Sequence, residues 1–264
     1  MAFPRIADLA DQLFELIVGD FDRTFRMYLQ GPDVVSTESF FRVQTGLGHP
    51  FANLMITREL RDSELLRNAI QPLCSDDFPS AIVCLGTPGI EAEKLLGDHG
   101  FNLAEVMPAM AIDLSALKAE TTNAKCSVEE VGPDQNELWV HTMTEGYELP
   151  RPFVERFGPS VVSSIAEEGV RYRYFVAFYE EQPVATAVTI TRNGIVGVYC
   201  IATVPEHRGC GVGTLVTAAP LREAHADGYE TAILQASTMG KGLYTRLGFE
   251  EYGDIPIYAR VPAS

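Results

Sequence analysis

Residues 201–219 read IATVPEHRGCGVGTLVTAA, and no other stretch constrains the fold as much. A strand-like run stops at Pro205. A tight turn follows with Arg208, Gly211 and Gly213 in the spacing R-x-x-G-x-G, and a helix-forming run begins at once. Glycines let a backbone adopt positive φ and approach a ligand closely. Successive N–H groups in such a turn point into one concavity. The helix start behind it adds unsatisfied N–H groups and the positive end of its dipole. The natural occupant is a pyrophosphate. A Rossmann loop is disfavoured, because its glycine spacing differs and the strand before this turn belongs to a hairpin series. A Walker loop is excluded by the missing Gly-Lys-Ser/Thr.

The residues around the turn alternate between strand and helix signals. Strands are expected at 127–131, 171–179, 184–191, 195–204 and 231–236, then near 249–252 and 255–261. Helices are expected at 133–144, 152–168, from the glycine turn to about Ala226, and at 240–247. Glu181–Pro183 and Asn193–Gly194 supply hairpin turns. Antiparallel hairpins thus pass into a β-α-β crossover, which predicts an α/β (α+β) domain with a mixed, mostly antiparallel sheet flanked by helices. The polar stretch 114–126 reads as a linker, dividing the chain into 1–120 and 125–264.

A second motif, STMGKGLYTRLGF at 237–249, lies in the right order after the first, with Tyr244 36 positions beyond Arg208. Together they resemble the GNAT superfamily of acyl-coenzyme A-dependent N-acyltransferases over residues 125–263. The R-x-x-G-x-G turn is similar to that family's coenzyme A motif, and the later stretch to its short helix ending in Tyr…Leu-Gly-Phe. The resemblance implies acetyl-coenzyme A as cosubstrate and no metal. It implies that backbone groups of Ile201, Ala202 and Thr203 meet the pantetheine. The turn itself, Arg208, Gly209, Cys210, Gly211, Val212, Gly213 and Thr214, would hold the pyrophosphate. Ser237 stands where the family often has a cofactor-touching Asn, and Cys210 where it commonly has Lys or Arg. Tyr244 is the implied catalytic residue, a general acid for the departing thiolate. The strand at 231–236 has no carboxylate, so no general base carries over to it. His141, Glu145 and Glu148 lie where first helices would cover an acceptor, and Tyr147, Arg151 and Phe153 are lid candidates. The implied activity is acetyl transfer to a primary amine of a small molecule or peptide. The alternative is a non-catalytic coenzyme A-binding or sensing protein.

The first half repeats the end of the pattern. Residues 96–111 align without a gap on 244–259, an offset of 148, with Gly100–Phe101 on Gly248–Phe249, Pro108 on Pro256 and Ala111 on Ala259. Upstream, strands at 51–57 and 80–85 and helices at 59–70 and 90–98 repeat the element order of 195–248. This predicts a diverged duplicate, hence two tandem GNAT-like domains. The duplicate has RELRDSEL after its strand, with no glycine, and Leu96 at the position of Tyr244, so it is expected to be degenerate.

The formal net charge of −16 argues against nucleic acid as a partner, which needs a basic footprint. The five cysteines, Cys74, Cys84, Cys126, Cys200 and Cys210, form no C-x-x-C pair, so neither a disulfide framework nor a zinc site is expected. Most are read as small buried apolar residues. No apolar run approaches the ~20 residues of a membrane helix, and no targeting stretch opens the chain. The expected location is the cytoplasm, without membrane contact, and a homodimer is left open.

Overall fold

The computed structural model describes residues 3–61, 63–118, 125–165 and 167–262. In chain order the elements are α1 (Ile6–Leu9), α2 (Leu13–Tyr28), β1 (Val34–Ser36), β2 (Phe40–Gln44), β3 (Asn53–Thr57), α3 (Ser63–Ile70), β4 (Ser80–Cys84), α4 (Ile90–Asp98) and β5 (Asn102–Asp113). The chain continues with β6 (Cys126–Val131), α5 (Asn136–Tyr147), α6 (Arg151–Val154), α7 (Pro159–Ile165), β7 (Arg171–Tyr179), β8 (Gln182–Arg192) and β9 (Ile195–Thr203). It ends with α8 (Val212–Ala226), β10 (Thr231–Gln235), α9 (Lys241–Leu247) and β11 (Glu250–Arg260).

Two compact units form, and both cut across the linear division at 1–120 and 125–264. One holds residues 1–17 and 109–252, the other 18–108 and 253–264. The physical reason is strand pairing. Residues 109–113 of β5 pair antiparallel with β10, and 257–260 of β11 pair antiparallel with β4. Each unit is therefore closed by a strand from the other half of the sequence. Of the expected linker, Leu114–Ala116 is a 3₁₀ turn and Cys126 already belongs to β6, while 119–124 lie outside the described residues.

In the larger unit the strands run in the order β5-β10-β9-β8-β7-β6. All pairs are antiparallel except β9–β10. Residues 184–192 of β8 are buried without a break, because α5 and α8 both pack on that strand. One cluster joins Val212 and Val216 of α8 to Phe175, Ala177, Ala185 and Ala187. Another joins Leu221 to Val196, Val198, Leu234 and the residues of α9. The helix expected at 152–168 is broken. Pro159 has no N–H to continue it, and a Cβ on Gly158 would lie 2.5 Å from Asn136 Oδ1, which instead accepts the Ser160 N–H at 3.0 Å.

The smaller unit orders its strands β1-β2-β3-β4-β11, antiparallel except for β3–β4. Its β3-α3-β4-α4 order matches β9-α8-β10-α9, and in both the crossover joins a parallel pair. The match reaches single hydrogen bonds. The Phe101 N–H donates to the Leu96 carbonyl and the Phe249 N–H to the Tyr244 carbonyl, each at 3.0 Å. Gly100 and Gly248, at φ +82° and +106°, make the two left-handed turns that permit this.

Candidate active site

The site begins with a defect in β9. Ala202 pairs with Thr186, yet Tyr199 pairs with Val188, so β9 carries one extra residue. Cys200 takes it up at φ +53°, and the buried Thr186 hydroxyl donates to the Cys200 carbonyl at 2.9 Å. Beyond the bulge the neighbouring ladder opens. The parallel β9–β10 pairing ends at Ile233–Gly197, while β9 runs on to Thr203. Ile201, Ala202 and Thr203 thus lie on a stretch of strand that β10 does not cover, and the latter two pair with β8 on the other side.

The turn after β9 has the cradle form. Gly209 and Gly211 stand at φ +76° and +84°, and nothing lies within 4 Å of a Cβ built on Gly209. Gly213 serves a different purpose. Its Cβ would sit 3.1 Å from Leu243 Cδ1 and 3.4 Å from Thr203 Oγ1, so its bareness lets α8 approach α9 and β9. Among the described residues, no acceptor partners the backbone N–H of Gly209, Cys210, Gly211, Val212, Gly213 or Thr214. The first α8 amide to find one is Leu215, on the Gly211 carbonyl at 3.1 Å. These orphan donors sit at the helix's positive end. An anion with several oxygens fits such a set, as the phosphates of coenzyme A would.

The Arg208 side chain is held by two backbone carbonyls. Its Nε donates to the Thr203 carbonyl at 3.1 Å and its Nη2 to the Gly146 carbonyl at 3.0 Å. Glu148, exposed at φ +56° after α5, lies 3.6 Å from the same guanidinium. Gly146 makes the reach short, since a Cβ there would meet Ala202 Cβ at 2.8 Å and the Thr203 nitrogen at 3.1 Å. Arg208 therefore clasps the end of α5 to the end of β9. Ser237 also acts locally and starts α9. Its hydroxyl accepts the Gly240 N–H at 3.1 Å and its carbonyl the Lys241 N–H at 2.9 Å. The hydroxyl keeps a proton to donate.

Tyr244 projects from α9 and is 7% exposed, with its ring edge-on to Phe249 at 5.9 Å. Burial pushes its phenol well above the usual value, which keeps it protonated. Burial likewise pushes the Cys200 thiol up to about 12. Tyr147, the last residue of α5, has a phenol raised by burial first and then by Cys200 and Tyr244. The residue is nonetheless 43% exposed. Tyr147 lies close enough to Cys200 and Tyr244 for both to act on its phenol. The sequence reads most cysteines as small buried apolar residues; Cys200 is only half-buried, and a bulge at a positive-φ cysteine has no sequence marker of the kind Gly or Asn would give. His141 and Glu145 are exposed, Arg151 is engaged with Glu137 and Glu155, and Phe153 is buried. No three His, Cys, Asp or Glu side chains gather as a metal site among the described residues. None of the described helices is long and apolar enough to cross a membrane.

Among the described residues, the smaller unit shows no such opening. Its β2–β3 register runs without a shift. Its β3–β4 ladder is complete from Leu54–Ala81 to Thr57–Cys84, and the Leu85 N–H then donates to the Thr57 carbonyl at 2.9 Å.

Residues 170–251 match the family model of the acetyltransferase (GNAT) domain. The chain carries a GNAT domain. No curated protein matches the chain in sequence. Among solved structures, a GCN5-related N-acetyltransferase from Kribbella flavida superposes with a TM-score of 0.62 at 18% identity, covering 96% of each chain. A GCN5-related N-acetyltransferase from Sphaerobacter thermophilus gives 0.62 at 14% identity, over 98% of this chain and 94% of that one. A tandem GNAT protein from the clavulanic acid biosynthesis pathway gives 0.56 at 13% identity, over 100% of this chain and 98% of the other. At these identities the likeness is one of fold, and it spans both units of the chain.

Proposed function

We propose that the protein transfers an acetyl group from acetyl-coenzyme A to a primary amine of a small molecule or peptide, using the larger unit alone. The observation that carries this reading is the run of unpartnered amides at 209–214 beside the uncovered part of β9. The amides would hold the pyrophosphate, and the backbone of 201–203 the pantetheine arm. The bound thioester supplies an activated acetyl carbon. Tyr244 then delivers its phenolic proton to the thiolate as the amine displaces it, and burial of that phenol supports the role by keeping the proton in place. Since β10 offers Thr231, Ala232, Ile233, Leu234 and Gln235 but no carboxylate, the proton of the acceptor ammonium goes to solvent water. Arg208 braces the cradle from behind. The smaller unit, whose β3–β4 ladder runs to the end of both strands, plays no part in donor binding.

The missing carboxylate favours a second reading, a coenzyme A-binding protein without transfer. Thiol release from acetyl-coenzyme A across a panel of amines separates the two. Stimulated release with formation of the acetylated amine supports the enzyme. Tight donor binding with no stimulation by any amine class supports the binding protein.

A further inference from the structure

Cys210 stands at the lip of the cradle with its side chain exposed, between two glycines at positive φ. Cys126, half-buried, is the first residue of β6. Three contacts bring the two to the same end of α8. Arg173 bridges Glu130 near the far end of β6 to Glu223 in the later turns of α8, at 2.6 Å to each carboxylate, so β6 runs alongside the helix. Cys126 packs on the cluster that contains Val212 and Val216, the first turns of α8. Its cross-strand partner Tyr179 lies ring to ring with His207 of the loop at 5.2 Å. Burial raises the Cys126 thiol above its ordinary value, and Cys210 adds to the rise.

We propose that Cys126 and Cys210 are a modification site: they form a disulfide on encounter with a small-molecule disulfide, and the bond closes the cradle. The exposed Cys210 thiolate attacks the small disulfide, giving a mixed disulfide and one free small thiol. The Cys126 thiolate then attacks the Cys210 sulfur and expels the second small thiol. Each protein thiol has lost its proton to solvent, the protein pair is oxidised by two electrons, and the small disulfide is reduced to two thiols. A disulfide needs Cα atoms within about 7 Å, and the left-handed glycines on either side of Cys210 let the loop turn towards β6. Holding the loop there draws the amides of 209–214 away from a pyrophosphate. This consequence rests on the proposed donor site.

The test uses the reduced full-length protein and oxidised glutathione. Intact mass is expected to fall by two hydrogen atoms, with peptide mapping linking Cys126 to Cys210, and acetyl-coenzyme A present at saturation should slow the reaction at least tenfold. C126S should instead accumulate a glutathione adduct on Cys210, and C210S should give neither. The oxidised wild-type protein should lose acetyl-coenzyme A binding by calorimetry and regain it with reductant. A stable glutathione adduct on wild-type Cys210, or a link between any other cysteines, would overturn the pairing. Unchanged donor affinity in the linked protein would overturn the closure. If the reduced protein itself bound no acetyl-coenzyme A, the functional reading would fall, while the mass and mapping would still decide the pairing.

Discussion

Arg208 Nη2 and the Gly146 carbonyl oxygen, 3.0 Å apart, tie the turn before α8 to the end of α5. With the second bond from Nε to the Thr203 carbonyl, one side chain fixes three pieces of backbone around the open part of β9. The residue that gives the cradle motif its first letter thus holds the backbone next to the cradle, one residue before Tyr147.

The clasp makes a prediction about Arg208→Ala. Two charge-assisted hydrogen bonds are lost and two carbonyls must find water. Bonds from a charged donor are worth about 1.5–3 kcal/mol each, but this guanidinium is 36% exposed and water screens it, so the loss of stability should be about 1–3 kcal/mol, small enough for the fold to survive. Because α5 loses its tether, the Michaelis constant for the amine should rise more than that for the donor. Arg208→Lys should recover little, since an ammonium cannot fork to both carbonyls. Denaturant melts and separate titration of the two substrates check this.

Gly211→Asp tests the cradle. At φ +84° any side chain is strained, and a carboxylate there repels phosphate at the positive helix end. Donor affinity measured by calorimetry should fall at least tenfold. Unchanged affinity in a folded protein would remove the pyrophosphate from this turn.

Tyr244→Phe keeps the ring against Phe249 and removes only the proton donor. The expected result is a fall in kcat of about 10²–10⁴, with donor affinity and stability nearly unchanged. Because the phenol's folded value is raised, the acid stays loaded through neutral and mildly alkaline pH, so kcat should not decline near pH 10 through this group. A Phe variant with wild-type turnover, chemistry being rate-limiting, would leave the protein without this general acid.

Much of this site was legible before the fold. The glycine turn, the later Tyr-x-x-Leu-Gly-Phe and the Gly100–Gly248 correspondence are local features, set by φ constraints and helix ends within a few residues. The bulge at Cys200, the early end of the β9–β10 ladder and the return of Arg208 to Gly146 are not. They depend on pairings between residues far apart in sequence, where no local signal distinguishes Cys200 from any other apolar strand residue. The exchange of β5 and β11 between units was hidden for the same reason. Both strands look alike in sequence, with Pro108 and Ala111 in step with Pro256 and Ala259, so composition cannot say which sheet each one joins.

Two thiols, the buried Cys84 and the half-buried Cys200, contribute to the alkaline limit alongside the raised phenols of Tyr147, Tyr244 and Tyr258. Cys84 and Cys200 are both pushed up to about 12 by burial, from an ordinary 9.0. The unfolded chain therefore loses these protons at lower pH than the folded one. Stability from this source is fully present below about pH 9 and is lost as pH rises towards 12. Chemical denaturation at pH 8 and pH 10.5 should show the loss, and Cys200→Ala and Cys84→Ala should each flatten part of that slope. An unchanged slope in both variants would mean that the thiols do not drive it.

The two equivalent glycines should respond differently to alanine. Gly100 and Gly248 both occupy the left-handed turn after a helix, so each substitution carries the same backbone penalty of about 1 kcal/mol. Their surroundings differ. A Cβ at Gly100 meets the Arg260 side chain at 3.5 Å, an ordinary contact with a flexible group. At Gly248 it meets the Ala116 carbonyl oxygen at 3.1 Å, and the neighbouring backbone is held by the Lys118 N–H on the Leu247 carbonyl at 2.9 Å. Something less mobile must move. Gly248→Ala should therefore destabilise more than Gly100→Ala, and the turn it disturbs follows directly on Tyr244, whose carbonyl accepts both the Gly248 and the Phe249 N–H. Loss of turnover should accompany the larger stability loss at Gly248, while Gly100→Ala should leave turnover at wild-type level. Paired urea melts and steady-state rates on the two variants decide it; equal stability losses would show that the contact at Ala116 relaxes freely.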